Sequence, residues 1–114
     1  NTTGNNNMAI GYNALNTNTT GISNIGIGVS AGSGITTGTA NVAIGGMGAG
    51  SASTVGYNTA IGFQALNTGN GTVQYNTAIG YNTLGLTTTG SFNQAFGANS
   101  FHGVTTASNN TGLG

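Results

Sequence analysis

Asn76-Thr77-Ala78-Ile79-Gly80-Tyr81-Asn82-Thr83-Leu84 is one of seven versions of the same short word. The versions begin at Asn7, Asn24, Asn41, Asn58, Asn76, Asn93 and Asn110, so successive starts lie 17, 17, 17, 18, 17 and 17 apart. A fixed short period is the signature of an array in which each repeat is one unit and stacked neighbours bury a shared core. The word predicts an all-β parallel β-solenoid, a β-roll or β-helix of about seven coils of 17–18 residues that assembles into a fibre. A helix is disfavoured, because Gly and Thr are poor helix formers and the apolar residues do not recur at helical spacing.

Around the word, Asn1 to Asn6 has the phase of a repeat's closing third. Six repeats follow, and Asn110 to Gly114 opens a seventh. No shift of composition or linker separates them, so residues 1–114 read as one continuous array. Repeats two and three carry small corner residues, as at Gly45, Gly46, Gly48 and Gly50. Repeat four holds the extra residue, expected between Asn67 and Tyr75 where the turn formers Thr68, Gly69, Asn70 and Gly71 cluster, and a bulged turn is expected there.

Each letter of the word takes an expected task. Three residues after the Asn stand Ile10, Ile27, Ile44, Ile61, Ile79, Phe96 and Leu113, expected to stack as an apolar core ladder inside the coil. The next residue is Gly in every copy, namely Gly11, Gly28, Gly45, Gly62, Gly80, Gly97 and Gly114, which suits a sharp corner of positive φ. Asn7, Asn24, Asn41, Asn58, Asn76, Asn93 and Asn110 are expected to form an amide ladder tying coil to coil. Eight residues after the Asn, Leu15, Leu66, Leu84 and Phe101 form a second ladder, with Gly32 and Ala49 in the smaller coils. The Ala or Gly between the strand's apolar residues, such as Ala78, is expected to face outward and admit a neighbouring sheet. Aromatics near the turns (Tyr12, Tyr57, Phe63, Tyr75, Tyr81, Phe92) are expected to stay partly outside and favour lateral contact.

Composition bounds what such an array can do. The chain has 23 Gly and 20 Thr, 18 Asn, and no Lys, Arg, Asp or Glu, whereas an ordinary domain is about 25% charged. Charge normally keeps proteins apart and blunts strand edges. A chain without it reads as one meant to associate with copies of itself, head to tail and laterally. Without basic residues there is no counterion-release term for nucleic acid and no attraction to anionic lipid. No apolar run approaches the roughly 20 residues that span a bilayer, so membrane insertion is not expected. The chain has no cysteine, which removes disulfides and thiolate metal sites.

Apparent sites dissolve on inspection. Gly26-Ile27-Gly28-Val29-Ser30-Ala31 matches a dinucleotide fingerprint ending in Ala, but it lies in phase with the repeat and no acidic residue exists to hold a ribose. His102, without Cys, Asp or Glu, makes neither a metal site nor an oriented triad, and reads as a turn or surface histidine. The Asn-x-Ser/Thr triplets at Asn1, Asn18, Asn70 and Asn109 are expected from composition alone. No catalytic residue, cofactor or metal is expected, and the chain does not read as an enzyme.

The residues Asn-x-Ala-Ile-Gly, especially Asn41-Val42-Ala43-Ile44-Gly45, resemble the head repeats of trimeric autotransporter adhesins. The Asn-Thr-Ala-Ile-Gly-Tyr form at Asn76 to Tyr81 is similar to repeats of bacterial and phage fibre proteins. The resemblance covers essentially the whole chain and implies a left-handed parallel β-roll, three chains side by side, and adhesion at a cell surface with possible surface or glycan contact. The present repeat is a few residues longer than the adhesin type and lacks charge altogether.

The leading expectation is therefore a structural subunit of an extracellular or cell-surface filament, sheet or tape, serving as matrix or surface fibre. The alternative is a head or stalk segment of a trimeric adhesin or tail fibre. Ice or crystalline-surface binding ranks lower: Thr59, Thr77 and Thr111 share a repeat position, but Met8, Ile25, Val42 and Gln94 interrupt it. The phase of the ends, position eleven at Asn1 and position four at Gly114, leads to the expectation that chains stack in nearly continuous register or belong to a longer array.

Overall fold

Each copy of the word becomes a strand of three residues, because the Gly that follows it turns the chain out of the extended conformation. The computed structural model describes residues 3–46, 54, 56–67 and 72–114. Its strands are β1 (Met8–Ile10), β2 (Ile25–Ile27), β3 (Val42–Ile44), β4 (Thr59–Ile61), β5 (Thr77–Ile79), β6 (Gln94–Phe96) and β7 (Thr111–Leu113). They pair in parallel and in chain order as one seven-stranded sheet, a β-solenoid of about six turns. Equivalent residues are partners, Ile10 beside Ile27 and Ile61 beside Ile79, so the longer coil does not break register.

The turns are laddered too. Ser30 donates its N–H to the Tyr12 carbonyl at 2.8 Å, Leu66 to Thr83 at 2.8 Å, Thr88 to Thr105 at 2.7 Å and Phe92 to Gln74 at 3.2 Å. Backbone groups that a loop would give to water are thus paired along the axis, which lets a coil with so little strand hold its shape. The pairing also locates the extra residue. Leu15 donates to Ala31, just before its equivalent Gly32, and Leu66 donates to Thr83, just before its equivalent Leu84. The step from Leu66 to Leu84 is longer than that from Leu15 to Gly32 by a single position. At Thr72, which donates to Thr88 just before its equivalent Thr89, the ordinary period has returned. The extra residue therefore lies between Leu66 and Thr72, overlapping the expected interval. The bulge expected at Thr68 to Gly71 falls outside the described residues, as do Ala49, Gly48 and Gly50.

Corners come from backbone conformation. The seven Gly after the strands take φ between 88° and 136°. At Gly45, with φ 125°, a Cβ would also lie 2.6 Å from the Gly62 carbonyl oxygen of the next coil. Both the angle and the close approach require Gly. Three further corners are left-handed without needing Gly: one before the Asn (Tyr57, φ 64°; Tyr75, φ 58°), one six after it (Asn82, φ 53°) and one eight after it (Leu66, φ 49°; Leu84, φ 51°). Each costs about 1–2 kcal/mol for an L-residue, a cost that the packing and hydrogen bonds of the ladder offset.

The two faces of the strand are the reverse of the sequence expectation. Ala43, Ala60, Ala78 and Ala95 are completely buried, while the Ile residues that follow them on β3 to β5 are only half-buried and Ile10 is 56% exposed. Thus Ile10, Ile27, Ile44, Ile61, Ile79, Phe96 and Leu113 line the outside of the solenoid, and Ala78 does not admit a neighbour. The cause is cross-section. Leu15, Leu66 and Leu84 fill the interior from across the coil, and a Cβ on Gly26 would lie 2.8 Å from Leu15 Cγ. Only Ala or Gly fits opposite such a Leu. Where the second ladder has Gly32, a Cβ would meet Leu15 Cδ2 at 2.7 Å and Ile35 Cδ1 at 3.1 Å, so Leu15 and Ile35 close the gap.

Candidate self-association face

Asn and Ile stand three apart in an extended segment, so they point to opposite sides of the sheet. The amide is the member that goes inside. Asn24, Asn41, Asn58, Asn76 and Asn93 are all buried. Each Oδ1 accepts the backbone N–H of the next Asn, as in Asn41 to Asn24 at 2.9 Å and Asn93 to Asn76 at 2.8 Å. Asn41 and Asn58 also donate Nδ2 to the Oδ1 one coil back, at 3.0 and 3.2 Å. The same kind of Nδ2 closes its own coil, from Asn24 to the Gly38 carbonyl at 2.7 Å and from Asn76 to Gly90 at 3.0 Å. In the longer coil Asn58 reaches Val73 instead, at 2.9 Å. At the two end coils Asn7 donates to Gly21 at 2.7 Å, and Asn110 to Asn93 Oδ1 at 2.9 Å.

Putting the amides inside leaves the apolar strand residues outside. Met8, Ile25 and Val42 form one row on β1 to β3, continued by Thr59, Thr77, Gln94 and Thr111, and the Ile row runs beside it along all seven strands. Two aromatic ladders flank the strands in the chain. Tyr57 and Tyr75 stack with ring centroids 5.1 Å apart and planes 5° from parallel, and Tyr75 and Phe92 continue the stack at 4.9 Å and 8°. Beyond the Gly corner, Phe63 and Tyr81 stack at 5.8 Å and 7°. All five rings remain exposed. Their residues share repeat positions, so the coil spacing itself brings rings to stacking distance.

No charged side chain lies on this face or anywhere else on the chain. An uncharged row of exposed and half-buried apolar side chains that continues across all seven strands is the kind of surface that marks a contact site.

The remaining sequence candidates are structural. Gly26 lies inside β2, Gly28 is its corner and Ala31 is core; turn, not helix, follows them. His102 is half-buried in a turn, donates its N–H to the Asn99 carbonyl at 3.2 Å, and has a buried Nδ1 without a hydrogen-bond partner. Of the Asn-x-Ser/Thr triplets, Asn18 is buried, Asn109 is exposed, and Asn1 and Asn70 fall outside the described residues. Among the described residues no group of His, Cys, Asp and Glu could hold a metal ion. Reading the sequence missed the outward Ile row, although a signal was present: an Asn kept inside forces the residue three later outside.

Compared with known proteins, the chain matches no family model, no curated protein and no solved structure.

Proposed function

We propose that this chain is a structural subunit of an extracellular, self-assembling fibre, and that copies cohere laterally through the outer strand face. The observation that carries the reading is the Ile row on the outside of a chain with no charged residue. Burying a Leu- or Ile-sized side chain contributes about 1.5–3 kcal/mol, and these are half-buried already, so each rung supplies a fraction of that. Summed along the sheet, several kcal/mol favour covering the face. Strands of three residues present a face about 10 Å wide along the 36 Å axis, and the aromatic ladders beside it widen it toward the roughly 800 Å² per partner of a standard interface. The partner that fits is a second copy, because it presents the same rows at the same spacing and asks for no charge complement.

The second reading is a head or stalk segment of a trimeric adhesin or tail fibre, as the resemblance of the word implies. What favours it is that the apolar rows lie on one side of the sheet, so three copies in a closed ring can all turn that side toward a shared axis. Both readings place the protein outside the cell and assign it no reaction.

Electron microscopy and native mass measurement of the purified chain test the proposal. Filaments or tapes with a strand repeat of about 4.8 Å along the axis are expected, dispersed by Ile61→Asp without loss of the β spectrum. A discrete trimer would establish the second reading, and a monomer at micromolar concentration would overturn both.

A further inference from the structure

The turn that closes each coil carries a second regular surface. In one repeat position of that turn stand Thr3, Thr20, Thr37, Thr54, Thr72, Thr89 and Thr106, one per coil. All seven are exposed. For four of them the backbone shows the equivalence: Thr3, Thr20, Thr72 and Thr89 donate their N–H to the carbonyls of Thr19, Thr36, Thr88 and Thr105, each the residue just before the row's next threonine. Thr72 keeps its place although its coil is longer, so the row runs through the extra residue without a gap.

The row is held rigidly from behind. The Thr36 carbonyl accepts the N–H groups of Thr19 at 2.8 Å and Thr20 at 3.3 Å and the Thr19 hydroxyl at 3.1 Å. The Thr105 carbonyl repeats this with Thr88 at 2.7 Å, Thr89 at 3.3 Å and the Thr88 hydroxyl at 3.1 Å. In both pairs the first Thr spends its hydroxyl on the next coil. The second, equally exposed, stands in a row that repeats at the coil spacing of about 4.8 Å.

We propose that this threonine row is a binding face for crystalline water. A row with one identical shallow rung per coil has no pocket for a discrete ligand. Its affinity can only accumulate over many weak, equally spaced contacts, so the ligand must itself be periodic. Hydroxyls order water by hydrogen bonding while the methyls beside them exclude disorder, and a preformed turn lowers the ordering cost. No charged side chain competes for the hydration layer. A crystalline polysaccharide would call for aromatic faces in the row, and all seven rungs are threonine. The row sits on the closing turn, four residues before the Asn of the next repeat, and holds none of the strand residues of the proposed contact, so the inference does not rest on self-assembly.

Ice-crystal shape and thermal hysteresis in the presence of the chain, together with its partition into growing ice, form the test. The unmodified chain is expected to facet crystals, depress freezing below melting and concentrate in the ice. The double variant Thr20→Tyr with Thr89→Tyr, both at exposed sites, is expected to lose most of the effect with its circular dichroism and melting unchanged. Ile61→Asp is expected to keep it, which separates this face from the fibre contact. Absence of hysteresis and partition in the unmodified chain overturns the proposal. So does full activity in the double variant, or retention on crystalline cellulose without retention in ice.

Discussion

Asn76 donates its backbone N–H to Asn58 Oδ1 at 3.0 Å, one coil back, while the Nδ2 of Asn58 holds the Val73 carbonyl of its own coil at 2.9 Å. One side chain therefore closes a coil and starts the next. Replacing it orphans groups buried with it, and each such group costs about 1–3 kcal/mol. Asn58→Ala is expected to lower stability by about 2–5 kcal/mol, read by denaturant unfolding. The same change at the partly exposed Asn110 is expected to cost visibly less.

The reversed faces make opposite predictions for neighbouring residues. Ala78 is fully buried, so Ala78→Leu overfills the coil and is expected to destabilise it by about 1–3 kcal/mol or more. Ile79 points outward, so Ile79→Asp is expected to leave the coil folded and soluble. If Ile79→Asp unfolded the chain while Ala78→Leu did not, the assignment of inside and outside would be wrong.

At Gly45 a methyl group has nowhere to go, since its Cβ would sit 2.6 Å from the Gly62 carbonyl oxygen at φ 125°. Gly45→Ala is expected to cost more than about 1 kcal/mol. Gly103, around which a Cβ would meet nothing within 4 Å, is the control, and Gly103→Ala is expected to be near neutral.

Tyr75 stacks on both Tyr57 and Phe92. Removing it breaks two aromatic contacts, each worth about 0.5–1.5 kcal/mol. Tyr75→Ala should thus cost about twice as much from stacking as Tyr81→Ala, which loses the one stack with Phe63, and a comparison of melting curves checks the ratio.

With no Asp, Glu, Lys or Arg, there is no side-chain carboxylate or amine to titrate and no surface ion pair to screen. Folding, and the cohesion of the proposed fibre, are expected to be flat between pH about 3 and 9, leaving His102 aside, and nearly unchanged from low to molar salt. Light scattering across salt and pH measures this. Dissolution of the fibre in high salt or mild acid would contradict an apolar contact.

Much of this protein was legible in the chain alone. The spacing from Asn7 to Asn110 determined one coil per repeat and parallel strands in register, because only stacked equivalents let identical words pair. The Gly after each strand marked a corner, since a recurrent Gly in an extended pattern answers a backbone need. What alternation could not decide was which side of the strand is inside: a period of two is symmetric until something occupies the interior. Tertiary structure settled it by bringing Leu84 and its equivalents across the coil, where they leave room only for Ala or Gly, and by giving the buried Asn amides partners one coil away. It also decided where the turns display their residues. Left-handed backbone at Tyr57, Tyr75 and Phe92 accompanies the outward stack of rings, and hydrogen bonds to the next coil set the closing-turn threonines in one exposed row.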